Sequence, residues 1–161
     1  MNAPLPQRFT NEISPEFLRT LDKSPFTDQQ IVEFREEAIA AIRQNQVYLQ
    51  AHPPCAIYRF ASAGSRTRDG GEIQQATSPM EIILDNGQQV CVAQVGDYVV
   101  YDDGRKAQIV TGAGFEYEHL ALVGSLLSNG DEIIDTLQGL ALIAVRDGVP
   151  MADDFLPVVE G

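Results

Sequence analysis

The stretch Ala63-Gly64-Ser65-Arg66-Thr67-Arg68-Asp69-Gly70-Gly71-Glu72-Ile73 decides how this chain is read. A small residue, a glycine and a serine open it, an Asp-Gly turn signal follows, and an isoleucine closes it. The same register returns at Val123-Gly124-Ser125, with Gly130 and Ile133 at the spacings of Gly70 and Ile73. Val95-Gly96-Asp97 begins a third copy that reaches Gly104 and Ile109, stretched by a few residues around its turn. A strand entering a glycine turn and a strand leaving it cannot bury their apolar side alone, so about three such units stacked together make a sensible core.

Outward from that stretch, turn signals punctuate the chain at Asp69-Gly70, Asn86-Gly87, Asp103-Gly104, Asn129-Gly130 and Asp147-Gly148. Asn-Gly and Asp-Gly tolerate the positive φ angles of a two-residue hairpin turn, so each marks a candidate hairpin. Strand-like runs lie between them at Ile73 to Leu84, Gln88 to Tyr101, Arg105 to Thr111, Leu120 to Leu127, Glu132 to Leu137 and Leu140 to Arg146. Residues 57–161 are therefore expected to form a compact β-repeat domain of three glycine-turn strand units.

Residues 1–56 read as a helical N-terminal leader. Ser14-Pro15 places a capping hydroxyl before a proline at the first helical position, which predicts a short helix from about Pro15 to Leu21. Thr27-Asp28-Gln29-Gln30 has the form of a capping box and predicts the start of a longer helix. Ile31, Phe34, Ala38, Ile42, Tyr48 and Leu49 supply its apolar face, and His52-Pro53-Pro54 ends it, because a residue before proline is pushed out of the α region. The fold class is thus mainly β with an α-helical N-terminal segment.

Composition narrows the function. Among 161 residues, 23 acids oppose 11 bases for a formal net charge of -12, which repels phosphate backbones and anionic lipid. Neither nucleic-acid binding nor membrane docking is expected. No apolar run approaches the roughly 20 residues of a membrane span, and no cationic and apolar leader marks a signal peptide. Two cysteines are too few for a disulfide framework, so the chain reads as a soluble product of a reducing cytoplasm.

Chemistry-bearing residues are sparse. His52, Cys55, Cys91 and His119 are the His and Cys complement, and a zinc site drawing on all four is not expected, since two prolines interrupt the first pair and Cys91 falls in a strand-like run. Cys91 with His119 is the one tempting nucleophile and base, without a sequence signature around either. The acid pairs Asp102-Asp103, Asp131-Glu132 and Asp153-Asp154 read as turn and surface residues, because neighbours on a strand face opposite sides. Gly112-Ala113-Gly114 lacks the Lys-Ser/Thr of a phosphate-binding loop. No enzyme activity is expected.

The units that carry the repeat, Ala63 to Ile73, Asp85 to Asp97, and Ile109 to Gly112 with Leu120 to Ser125, resemble the PAAR-repeat family over about residues 57–137. Arg146-Asp147-Gly148 to Leu156 extends the likeness less closely, and the helical leader lies outside it. The resemblance implies a small β-cone that caps the trimeric spike of a type VI secretion system, with a blunt base bound to the spike's terminal strands and an apex that leads membrane puncture. It also implies residence in the bacterial cytoplasm before export and secretion without a signal peptide. Extra segments in that family are often effectors or adaptors, which gives the helical leader one use; packing on the cone is the other. The family's zinc ligands are histidines and a cysteine just before glycine, whereas Asp69 and Asn129 stand there in this chain, so no cofactor of that kind is expected.

Ile57, Tyr58, Phe60, Val92 and Leu122, on the entering strands, are the candidate contacts to a spike, although the same side chains would serve a core. Two other functions stay open: a small cysteine-dependent hydrolase or toxin, and a generic β-scaffold for some other protein partner.

Overall fold

A computed structural model describes residues 7–22 and 26–157. It consists mainly of small antiparallel sheets with few helices. The helices are α1 (Pro15–Thr20), α2 (Asp28–Val32) and α3 (Glu36–Ala51). The strands are β1 (Pro54–Arg59), β2 (Glu72–Ile73), β3 (Glu81–Ile83), β4 (Gln89–Cys91), β5 (Tyr98–Val100), β6 (Lys106–Gln108) and β7 (Leu142–Arg146), with one 3-10 turn at Phe115–Tyr117. Among the described residues no helix is long and apolar enough to cross a membrane.

The chain falls into a β unit of Met1–Glu12, Ile57–Ile143 and Met151–Gly161, and a helical unit of Ile13–Ala56 and Ala144–Pro150. The expected division into 1–56 and 57–161 needs two corrections. Residues 7–12 go with the β unit, because Phe9 and Thr136 exchange both backbone hydrogen bonds at 2.9 Å. Ala144–Pro150 goes with the helical unit, because Arg146 grips Asp22 through two nitrogens at 2.9 and 2.5 Å. Residues 1–6 and 23–25 of the expected leader and 158–161 of the expected β domain lie outside the described residues.

In the helical unit the caps form as their chemistry requires. The Ser14 hydroxyl accepts from the Phe17 amide ahead of α1, and Thr27 and Gln30 complete both halves of the capping box ahead of α2. The expected single helix from Thr27 to His52 is instead two. After Val32 the Glu33 and Phe34 amides turn back to Gln30 and Ile31, and Arg35 is extended before α3 begins. Glu36 and Glu37 then occupy the first turn of α3, where the helix dipole favours acids, and the Phe26 and Phe34 rings meet edge to face at 5.0 Å beside the break. His52, with φ -130 and ψ 70, leaves the helical region just before Pro53, as expected.

The β unit is made of short ladders. β2, β5 and β6 form one sheet in the order β2-β5-β6, β3 pairs with β4 across Asn86-Gly87, and β1 pairs with β7. The long strand-like runs of the sequence are cut. Glu72–Ile73 and Glu81–Ile83 stand where one run was expected, and Leu120 to Leu127 and Glu132 to Leu137 contribute single bridges. Gly96 at φ +99 and Gly124 at φ +109 bend the chain inside those runs and hand it from one partner to the next.

The hairpin turns also differ from the two-residue form. Gly70, Gly104 and Gly130 donate back to Thr67, Tyr101 and Leu127, and those three residues in turn donate to Gly71, Arg105 and Asp131. Only the glycine of each Asx-Gly pair has positive φ, so these are three-residue loops closed by a glycine bulge. The Asp103 and Asn129 side chains accept from the amides of Arg105 and Asp131, which fixes the turn in front of each glycine.

One set of hydrogen bonds occurs three times. The amides of Gly64, Gly96 and Gly124 donate to the carbonyls of Ile73, Ile109 and Ile133 at 2.8, 2.9 and 2.8 Å. Those isoleucines return bonds to Ser65, Asp97 and Ser125, whose side chains accept from the amides of Ser62, Gln94 and Leu122. The Asp97 carboxylate thus does what a serine hydroxyl does in the other two places. Ile73, Ile109 and Ile133 all lie at 1 % exposure or less in one apolar cluster with Val99 and Leu127.

Candidate interaction face

Three alanines in the β unit close a ring through the backbone. Ala61 donates to Ala121 at 2.9 Å, Ala121 to Ala93 at 2.8 Å, and Ala93 to Ala61 at 2.9 Å. A second circuit surrounds it, in which Ala63, Val95 and Val123 donate to the carbonyls of Cys91, His119 and Arg59 at 3.0, 2.9 and 2.9 Å. The antiparallel bridges follow the same cycle: Phe60 with Leu122, Ser62 with Val92, and Gln94 with Leu120. Ala61, Ala93 and Ala121 are fully buried, and their small side chains join the cluster of the three isoleucines.

Side chains alternate across an extended backbone, so residues flanking the alanines point the other way. Phe60, Val92, Leu120 and Leu122 accordingly gather in a second apolar cluster with Ala113 and Ile143. The ring is a partition: one face carries the isoleucine cluster and the hairpins, the other an apolar patch built from the entering strands.

Four of the five sequence candidates meet on that patch. Phe60, Val92 and Leu122 are buried within it, and Tyr58 packs against it half-buried. Ile57 is buried at 2 % exposure and belongs to neither cluster, so it supports the fold from elsewhere. Their burial fits the core role that the sequence left open beside docking. Sequence reasoning passed over Leu120, although it stands two residues from Leu122 on the same strand face, and over Met151, Phe155 and Leu156, which also pack on the patch. Those last three sit in a segment without strand or helix periodicity.

On the opposite face the hairpin tips converge on Asp131. Its buried carboxylate accepts from the Tyr101 hydroxyl at 2.6 Å and from the amides of Asp69 and Glu132 at 3.1 and 2.7 Å. Burial pulls its pKa up, but hydrogen bonds from Thr67 and Tyr101 and from backbone amides prevail and hold it below the ordinary 3.8. Tyr101 moves the opposite way, raised by burial and by the carboxylate it faces.

These tip residues are held by hydrogen bonds among themselves. Asn129 is engaged twice, donating to the Tyr101 hydroxyl at 3.0 Å and accepting from Asp131, while Asp69 reaches Asp131 through its amide. No group of three His, Cys, Asp or Glu side chains suited to a metal ion occurs among the described residues. Cys91 and His119 enter the ring through their carbonyls. In the helical unit, His52 Nδ1 lies 2.9 Å from the Asp147 carbonyl, and Cys55 Sγ donates to Val145 at 3.5 Å.

The N-terminal strap ties the two circuits to the rest of the β unit. The Asn11 amide accepts from the Arg59 N–H and donates to the Val123 carbonyl, both at 2.8 Å, so it bridges the two residues that one bond of the outer circuit already joins. Asp135, nearly buried, accepts from Arg8 at 3.0 Å and from the backbone and side chain of Arg66 at 2.9 and 3.0 Å. Comparison of the chain with protein-family models, curated proteins and solved structures gave no match.

Proposed function

We propose that the β unit is a spike-tip module: three copies of one strand–turn–strand unit wound about a common axis into a small cone, whose broad face seats on a trimeric spike of a type VI secretion system. The closed circuit Ala61, Ala121, Ala93 is the observation that carries this reading. A single chain that offers the same backbone pattern three times matches a three-fold partner, as no asymmetric β-scaffold does. Tyr58, Phe60, Val92, Leu120 and Leu122 supply the apolar face for that contact. Hydrogen bonds around Asp131 tie the narrow end of that cone together. Co-purification with a trimeric spike protein tests the proposal; absence of a complex at micromolar concentration counts against it.

The helical unit is proposed to recruit an effector or adaptor. None of the 16 residues of α3 is buried, and Val47 and Tyr48 are 67 % and 46 % exposed. Val47→Glu with Tyr48→Glu is expected to abolish cargo capture while leaving spike binding intact.

A further inference from the structure

The apolar face of the ring is covered by the chain itself. Met151, Phe155 and Leu156 lie on the cluster of Phe60, Val92, Leu120 and Leu122, and the Phe155 ring meets Tyr58 edge to face at 5.1 Å. The segment that carries them has neither helix nor strand. Two hydrogen bonds hold it to the loop 112–119: Leu156 donates to the Gly112 carbonyl at 2.8 Å, and Asp154 accepts from the Phe115 amide at 2.8 Å. A side chain at Gly114 would collide with Asp154, so the loop is shaped to receive this segment.

Both sides of that latch are strained. Glu118 and His119, at φ 55 and 57, are consecutive left-handed residues in the receiving loop, and Leu156, at φ 44, is left-handed in the segment itself. These are the only non-glycine residues with positive φ among those described: Leu156 lies in the segment, and Glu118 and His119 lie in the loop that the segment bonds to. Non-glycine residues enter that region only when their surroundings hold them there, and such strain collects where a segment has two positions. Releasing the segment would let Leu156 relax and would uncover the part of the patch beneath Met151, Phe155 and Leu156, with Ile82, Tyr117 and Ala141 still packed on the rest, whereas the alanine ring is closed on itself and is not loosened by the release.

We propose that Met151–Pro157 is a detachable cover, and that the terminal β-strands of a trimeric spike displace it to reach the apolar face of the ring. The partner half of this rests on the spike-tip reading above; the cover itself does not. Docking then exchanges an intramolecular contact for the partner, and the free chain keeps its sticky face hidden until a spike is present. A covered site binds more weakly by the fraction of time it is open, so removing the cover strengthens binding.

Hydrogen exchange on the full chain tests the cover directly. The amides of residues 151–156 and 112–117 are expected to exchange together and about tenfold or more ahead of the ring amides of Ala61, Ala93 and Ala121. Exchange of all of them in one event would overturn the proposal. For the partner, a chain ending at Pro150 is expected to bind a trimeric spike about tenfold more tightly than the full chain. Should that chain fail to fold, full-length Asp154→Ala, which removes one latch bond, serves instead and is expected to bind severalfold more tightly; equal affinity contradicts displacement. If no spike binds either form although 151–157 opens first, the spike-tip reading fails and the displacing partner with it.

Discussion

The Tyr101 hydroxyl donates to the buried Asp131 carboxylate at 2.6 Å, joining the tip of the second hairpin to that of the third. The length of the second hairpin makes this possible. Ile73 pairs with Val99, Thr67 with Ile133, and Leu127 with Ile109, so Val99 holds the place of Thr67 and Leu127. The second hairpin continues beyond that point through Val100 opposite Lys106, with Tyr101 bonded to Arg105. What looks like an irregular insertion in the sequence delivers the phenol to the carboxylate.

Acid should therefore loosen these joined tips. The pKa of Asp131 is held below 3.8 in the fold, so its contribution to stability is present above that value and is lost as pH falls through the lower folded value. Asp131→Asn is expected to cost about 1–3 kcal/mol at pH 7 and to flatten the fall in stability below about pH 4. Urea titrations at pH 7 and pH 3 check both; an unchanged pH slope would show that the carboxylate is not responsible.

Alanine at the three matching glycines grades the local surroundings. Gly96→Ala and Gly124→Ala, at φ +99 and +109 with no atom closer than 3.9 and 3.6 Å to the added carbon, should each cost about 1–2 kcal/mol from backbone strain alone. Gly64→Ala should cost more, because its new methyl overlaps Leu137. Equal and negligible losses at all three would mean that these corners do not constrain the chain. Thermal melts of the three variants give the order.

Asp135→Ala removes the acceptor shared by Arg8 and by both the backbone and side chain of Arg66. A loss of about 2–3 kcal/mol is expected, since the Arg66 amide and two guanidinium groups lose a charged partner together. Arg8→Ala should lose less, because Arg66 still satisfies the carboxylate. Chemical denaturation of the two variants measures the difference.

In the helical unit Arg146 holds the pKa of Asp22 below the ordinary 3.8, by direct hydrogen bonding against a smaller burial penalty. The sign is again that of a depressed acid: the pair stabilises above pH 3.8 and fails as pH drops below it. Asp22→Asn should lower the melting temperature of the helical signal at neutral pH and lower it less at pH 3. A drop of the same size at both values would remove the ion pair as the cause.

Much of this was legible in residue order because the signals are local. Ser14-Pro15, Thr27 with Gln30, and the glycines at 64, 96 and 124 act through their own backbone angles and near neighbours, and they form what their chemistry dictates. Contacts distant in sequence were not legible. Phe9 against Thr136, Asn11 between Arg59 and Val123, and Leu156 on Gly112 carry no periodicity, so nothing in the order of residues announces the strap or the cover. Entering-strand residues were chosen for being apolar, and apolarity alone does not separate a docking face from a core; Phe60, Val92 and Leu122 lie on a face that the chain covers for itself. The break before α3 was missed because the apolar spacing runs on through Phe34, although Arg35 leaves the helical region.

The central claim is three-fold matching, and stoichiometry tests it most directly. Light scattering on the purified complex with a trimeric spike protein is expected to give one copy of this chain for three spike chains, since its three strand–turn–strand units together satisfy one trimer end. Three copies per trimer, or no complex with any trimeric spike, would contradict it.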